Sequence, residues 1–255
     1  MMIFVQTIAV AFAMFSAVPM PQFKWNERNM RYVLCAFPLV GVVCALCWLM
    51  LALLPLPGFL RGALFCLAPV AITGGIHLDG YADTCDALAS HADTAEKQKI
   101  LKDPHCGAFA VIRLCVYFVL YLALCVTLTP SPWAVICAGL GFVLSRALSG
   151  WAVASLPLAK NTGLAHTFAT AADGRTVSLV LAVVAAGLVI AQIAIGGITG
   201  LAMALAAGLV LCHYAHVAKG QFGGISGDLA GWFLQKCELW QLVALVLCQL
   251  LEEYL

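Results

Sequence analysis

Charge is scarce in this chain. Only 10% of its 255 residues are Asp, Glu, Lys or Arg, whereas 64% are hydrophobic and the mean hydropathy is +1.01. A soluble globular domain cannot usefully bury so much apolar surface, so lipid is the expected solvent for most of the chain. The formal net charge is only +1, and the lack of a basic excess argues against a nucleic-acid partner.

A zinc-site pattern is also lacking, although the chain has 12 cysteines. Cys44 and Cys47 are the only closely spaced pair, and no second pair or nearby His completes a tetrahedral site. Most of the other cysteines lie in apolar stretches. We expect reduced, buried thiols, because free Cys packs as a small hydrophobic residue.

Apolar runs of about 20 residues, the length of one helical crossing, recur along the chain. They predict an all-α, polytopic integral membrane bundle of seven or eight spans, in one domain over 1–255, with a short cytoplasmic helical loop at 78–107. The approximate spans are 2–19, 32–54, 59–77, 108–129, 132–155, 177–195, 198–218 and 229–251.

The first apolar segment, 1–20, has no basic stretch before it, so we interpret it as retained rather than as a signal peptide. Gln6, Thr7 and Ser16 interrupt it, and Pro19 lies near its end. The segment therefore either spans the bilayer or lies as a short re-entrant or interfacial element.

The connections between the spans fall into two groups. Those at 20–31, 78–107, 156–176 and 219–228 are long and polar, and the remaining three are tight turns rich in Pro or Gly. Alternating spans place all the long connections on one side of the membrane. Nearly all Lys and Arg residues lie in or near them, with only Arg61 on the other side, so the positive-inside rule assigns these connections to the cytoplasm.

Three aspartates at the end of the third span form the most informative pattern. At about 100° per residue, Asp79, Asp83 and Asp86 share one face of a helix. No Lys or Arg lies among them, so a cation or protons must offset their repulsion, and hard carboxylate oxygens are what Mg²⁺ prefers. We predict that all three bind metal, with Asp83, Asp86 and the neighbouring His77 as catalytic candidates.

Other polar residues are candidates for substrate binding. Lys102 and Asp103 precede the start of the next span, where a cation and a helix N-terminus suit a phosphate. Arg146 is an intramembrane charge, and such charges are usually functional. Ser226 and Asp228 belong to a glycine-rich turn before the last span, where Asp228 serves equally well as a helix N-cap.

The sequence resembles the cobalamin synthase family, the adenosylcobinamide-GDP ribazoletransferases. The motifs that carry the resemblance are GIHLDGYADTCDAL at 75–88, KDPHCGAF at 102–109 and GGISGD at 223–228. Leu144-Ser145-Arg146 and Asn161-Thr162-Gly163-Leu164 extend it, so that it covers essentially the whole chain. Pro104 stands where the family usually has Ser.

The resemblance implies a Mg²⁺-dependent phosphotransferase of the bacterial inner membrane, with its active site on the cytoplasmic face. Its substrates would be adenosylcobinamide-GDP and α-ribazole or α-ribazole 5′-phosphate, and GMP would be released. Lys102 and Arg146 would hold the pyrophosphate or a corrin side chain, while Asp103 and Asp228 would orient ligands. The expected partners are these substrates, the lipid bilayer and other enzymes of nucleotide-loop assembly.

Two rival functions fit parts of the pattern. A CDP-alcohol phosphotransferase-like lipid enzyme also uses spaced aspartates at the membrane edge, but its motif requires an Arg that the stretch around Asp79 and Asp83 lacks. A secondary transporter usually places its ionisable groups near the middle of the membrane, whereas these aspartates lie at the rim.

Overall fold

The computed structural model describes residues 2–160 and 162–254, so Asn161 of the family-like stretch lies outside the described residues. Its regular structure is helical. The helices are α1 (Met2–Phe15), α2 (Glu27–Met30), α3 (Val33–Ala36), α4 (Pro38–Leu53), α5 (Gly58–Thr73), α6 (Ile76–Ala89), α7 (Thr94–Ile100), α8 (Ala108–Thr127), α9 (Pro132–Ser155), α10 (Leu164–Ala171), α11 (Gly174–Phe222) and α12 (Gly227–Tyr254).

The polytopic membrane bundle is confirmed. Five helical segments are long and apolar enough to cross a bilayer, and α5 with α6 gives a sixth when that bent pair is counted as one. The long helix α11 breaks at Gly197, where φ is 55° and ψ is −125°. A Cβ on Gly200 would lie 1.8 Å from the carbonyl oxygen of Gln192, so the helix folds back on itself and its two halves supply two crossings.

The first helix is shorter than the predicted span. With 14 residues, α1 is about 21 Å long, against the ~30 Å of a bilayer core. It packs against α2 and α3 rather than along α4, and the backbone N–H of Ala17 just after it donates to the carbonyl of Ile72 at the end of α5. This position agrees with the interfacial alternative for the first segment.

The long connections meet at one end of the bundle, which we call the loop end. There Arg31 pairs with Asp173 at 2.8 Å, and the Lys160 ammonium donates to the carbonyl of Gln98 at 3.0 Å. The backbone N–H of Ile225 donates to the carbonyl of Pro157 at 2.8 Å. The predicted grouping of these connections on one side is therefore confirmed.

The predicted helical loop at 78–107 contains most of α6, which bears the aspartates, and all of α7. Gly74 and Gly75 adopt left-handed φ angles of 65° and 79°, and the chain turns by 94° between α5 and α6. Helix α6 then packs against α8 and α12 at the loop end, with most of its residues buried. Helix α7 is the second and shorter helix of this loop.

Candidate active site

Helix α6 presents its three aspartates as the sequence predicted. Because residues 76–89 form one continuous α-helix, Asp79, Asp83 and Asp86 lie on the same face. Asp79 is exposed, whereas Asp83 and Asp86 are half-buried. The opposite face of α6 packs into the bundle, so the carboxylates point away from the apolar core.

A fourth carboxylate joins them from α12, because α6 and α12 approach closely at two glycines. A Cβ on Gly80 would lie 2.7 Å from the carbonyl oxygen of Asp228, and one on Gly231 would lie 2.9 Å from the carbonyl oxygen of His77. This contact brings the Asp228 carboxylate within charge-interaction range of Asp79 and Asp83. We call Asp79, Asp83, Asp86 and Asp228 the carboxylate cluster.

The cluster affects the protonation of its central member. Burial, followed in order by the negative charges of Asp79, Asp228 and Asp86, raises the pKa of Asp83 from the ordinary 3.8 to about 6. Like charges in partly desolvated surroundings favour the neutral acid. A bound cation would reverse this preference.

Asp86 lies toward α8. A Cβ on Gly107 would come within 2.1 and 2.2 Å of its two carboxylate oxygens, so this position requires a glycine while Asp86 keeps its place. Gly107 is the N-cap of α8, and a carboxylate is stabilised near the positive end of a helix dipole. The N-terminus of α8 therefore stabilises the Asp86 carboxylate, in addition to any bound cation.

A cavity of about 430 Å³ opens beside the carboxylate cluster. Asp79 and Asp228 line it, whereas Asp83 and Asp86 lie just outside its lining. Two cations, Lys102 and Lys160, line the same cavity. Opposite charges are thus gathered around a single space, an arrangement suited to a ligand that carries both phosphate and a divalent cation.

Lys160 is a site residue that the sequence analysis counted only as a loop charge. Partial burial and the nearby charge of Lys102 lower its pKa, while Asp228 opposes that shift. Its ammonium is oriented by the carbonyl of Gln98. The only feature of the sequence that could have indicated a role for Lys160 is its position directly before the family-like stretch that begins at Asn161. Thr162 and Gly163 of that stretch also line the cavity.

His77 lines the cavity as a buried, neutral side chain. Burial, helped by the positive charge of Arg146, lowers the pKa of His77 to about 3. Its Nε2 atom is buried and has no hydrogen-bond partner among the described residues. His77 therefore contributes shape and polarity to the cavity wall, and no positive charge.

Ser226 and Asp228 both line the cavity, and the structure settles which of them caps the last helix. The backbone N–H of Leu229 donates to the Ser226 hydroxyl at 3.2 Å, so Ser226 serves that role and leaves the Asp228 carboxylate available. Asp103 is not brought to the cavity. It is exposed and accepts hydrogen bonds from the backbone and ring of His105, which lower its pKa.

Arg146 does not line the cavity either, which departs from its predicted role in substrate binding. Its side chain is fully buried, and its guanidinium donates to Glu238 at 2.6 Å and to the carbonyl of Phe142 at 2.8 Å. The ion pair joins α9 to α12 inside the bundle. The sequence analysis did not identify Glu238. An isolated acidic residue in the apolar last span was the feature that could have indicated it.

The carboxylate cluster fits a magnesium ion only as an incomplete cage. Among the described residues, no group of three or more His, Cys, Asp or Glu side chains is arranged to hold a metal by itself. Mg²⁺ commonly takes one or two carboxylates and completes its shell with waters and substrate phosphate oxygens. Asp79, Asp83 and Asp228 offer hard oxygen donors of the required type beside the cavity, and the metal site remains a prediction.

Comparisons with known proteins agree across the chain. A family model described as cobalamin-5-phosphate synthase matches residues 7–246. A protein of Lachnoclostridium phytofermentans named adenosylcobinamide-GDP ribazoletransferase is 41% identical over 94% of this chain and 93% of its own length. Proteins of the same name from Geobacillus kaustophilus and Clostridium perfringens strain 13 are 32% and 29% identical, over 93% and 92% of this chain and 94% of their own lengths. No solved structure matches.

Proposed function

Because the chain belongs to the cobalamin-5-phosphate synthase family, we propose that it transfers the cobinamide phosphoryl group of adenosylcobinamide-GDP to α-ribazole or its 5′-phosphate, with release of GMP. In this reaction a hydroxyl oxygen of the acceptor forms a bond to the cobinamide phosphorus. The bond between that phosphorus and the oxygen bridging to GMP breaks, and the hydroxyl proton is lost to a base.

The observation that carries the proposal is that Asp79, Asp228, Lys102 and Lys160 line the same cavity. Phosphoryl transfer demands positioning and charge compensation more than a nucleophilic side chain. Carboxylates and lysines around one cavity can both position the reactants and compensate their charges. The lysines attract the diphosphate, and the carboxylates attract the divalent cation that accompanies it.

Magnesium is the proposed cofactor. Asp79, Asp83 and Asp228 would hold it, and when bound it would offset negative charge on the phosphate oxygens. The mutual repulsion within the carboxylate cluster supports this assignment, because a cation would relieve it. Asp86, the one member of the carboxylate cluster not assigned to the metal, is the candidate base for the acceptor hydroxyl.

We assign the loop end to the cytoplasmic face of the bacterial inner membrane. The support is the concentration of Lys and Arg in the long connections that meet there. Cys106, an exposed thiol in one of them, tests this assignment. A membrane-impermeant maleimide should label it in inverted vesicles and not in intact cells, and labelling from outside the cell would reverse the orientation.

The function is tested with purified protein in nanodiscs, supplied with adenosylcobinamide-GDP, α-ribazole and Mg²⁺, while GMP is quantified by chromatography. We expect GMP release from the wild type and a loss on the order of 100-fold in Asp79→Asn, since a charge-compensating group is removed. Glu96→Gln is the matched control, because Glu96 is exposed and lies outside the cavity. Folded wild-type protein that releases no GMP would contradict the proposal.

A further inference from the structure

We infer that the apolar wall of the cavity binds the benzimidazole base of the acceptor, and that Phe15 and Phe168 set the specificity for that base. This inference rests on the proposed function. It divides the site into two parts, with the reacting groups beside the charged residues and the acceptor base against aromatic rings.

The apolar wall is built around three phenylalanines. Phe15 lies with its ring centroid 4.3 Å from that of Phe37 and 5.2 Å from that of Phe168. All three line the cavity, together with Met14, Leu34 and Ala165. Rings at such distances form a continuous surface against which a further planar ring can pack.

This wall comes from parts of the chain that are far apart in sequence. Phe15 ends α1, Phe37 follows α3, and Phe168 lies on α10, a helix that packs against α2 and α9. Helix α1, which is too short to cross the membrane, therefore forms part of the cavity wall. Phe168 is 3% exposed and Phe37 is 4% exposed, so neither ring is merely a surface residue.

The size of the cavity decides which substrate enters it. A volume of about 430 Å³ lies within the range of small-molecule sites and accommodates a nucleoside. A corrinoid is several times larger than a nucleoside, so the corrin ring of the donor must remain outside. The acceptor is the substrate that fits inside as a whole.

Chemistry then separates the two bases that the reactants contain. Guanine carries several donors and acceptors on its edges, and burying them against phenylalanine, methionine and leucine without partners would cost free energy. The base of α-ribazole, dimethylbenzimidazole, carries two methyl groups and one free ring nitrogen. Burying it in the same surroundings therefore costs little free energy. The wall therefore favours the acceptor base over the guanine of the donor.

The position of the wall also directs the acceptor. The Phe37 ring lies 5.6 Å from the imidazole of His77, which is two residues from Asp79 on α6. A base packed against the wall would leave its attached ribose on the side of α6, where the carboxylate cluster begins. The ribose hydroxyl would then face the groups proposed to bind cation and diphosphate.

The inference is tested with Phe168→Ala and the more conservative Phe168→Leu, using steady-state kinetics for each substrate separately. We expect the KM for α-ribazole to rise about 10-fold in Phe168→Ala, because losing one aromatic contact together with the apolar area it buries weakens binding by about 1.4 kcal/mol. The KM for adenosylcobinamide-GDP should stay within about twofold. Phe109→Ala, at an exposed ring outside the cavity, is the matched control.

A second measurement removes dependence on turnover. Equilibrium dialysis of α-ribazole alone should show binding to the wild type and to Phe109→Ala, and weaker binding to both Phe168 variants. If a variant raises the KM of adenosylcobinamide-GDP instead, the wall holds guanine and the inference is wrong. If the wild type binds α-ribazole yet releases no GMP, the proposed reaction fails while the base subsite stands, so the two failures are distinguishable.

Discussion

Among single residues, Asp83 is the centre of the carboxylate cluster, because the negative charges of the other three carboxylates all raise its pKa. Its raised pKa of about 6 means that the folded protein keeps a proton which the unfolded chain has lost above pH 3.8. Stability must then fall as pH rises between about 4 and 6, and the cost persists above that window until a cation binds.

Asp83→Asn removes this cost, so we expect the variant to be more stable than the wild type at pH 7.5 in the absence of divalent cations. A rise of about 2–4 °C in the thermal midpoint is the expected size for a protein of this length. The difference should shrink at pH 5, and Mg²⁺ should stabilise the wild type more than the variant. A variant less stable than the wild type at pH 7.5, with no change at pH 5, would contradict this account.

Gly107 matters because the Asp86 carboxylate occupies the space where a side chain would be. In Gly107→Ala the flexible carboxylate must move, whereas the backbone φ of −77° accepts alanine without strain. We expect folded protein with GMP release reduced about 10-fold, and no additional loss when Gly107→Ala is combined with Asp86→Ala. Independent, multiplying losses in the double variant would show that Asp86 is not the affected group.

At the scale of elements, the helix α6 shows how far sequence reasoning reached. The spacing of Asp79, Asp83 and Asp86 predicted both a helix and a common face, because helical periodicity is a local property. The 94° turn at Gly74 and Gly75 was not predicted, since glycine permits a left-handed backbone without requiring it.

The contact between α6 and α12 is the element that assembles the site. Gly80→Ala would place a Cβ 2.7 Å from a backbone oxygen of Asp228, which cannot move without separating the helices. We expect a loss of about 1–3 kcal/mol in stability, seen as a lower thermal midpoint, together with impaired GMP release. Gly208→Ala, where nothing lies within 4 Å, is the matched control, and equal behaviour of the two variants would contradict the assigned contact.

At the scale of the whole molecule, composition and charge predicted the membrane bundle and the grouping of the long connections. Residues that join the site from distant segments were harder to assign. Asp228 was predicted as a ligand-orienting residue, but its place beside Asp79 depends on a helix contact that spans about 150 residues of sequence. The roles of Lys160 and Glu238 were not predicted for the same reason, because contacts between distant segments produce no periodic pattern in a single sequence.

Arg146 illustrates the opposite error. An intramembrane charge is usually functional, and that rule suggested substrate binding. In the structure, the Arg146 guanidinium forms a buried ion pair with Glu238 instead, so its charge does not face the cavity. A charged residue in a span therefore needs a search for its partner before a ligand is assigned to it.

If the carboxylate cluster holds a divalent cation, Mn²⁺ should bind there, and electron paramagnetic resonance of the protein in nanodiscs measures that binding. We expect saturable binding to the wild type, competition by Mg²⁺, and an affinity at least about 10-fold weaker in Asp79→Asn and Asp83→Asn, with Glu96→Gln unchanged. Wild-type affinity in both aspartate variants would show that the cation does not bind at the carboxylate cluster.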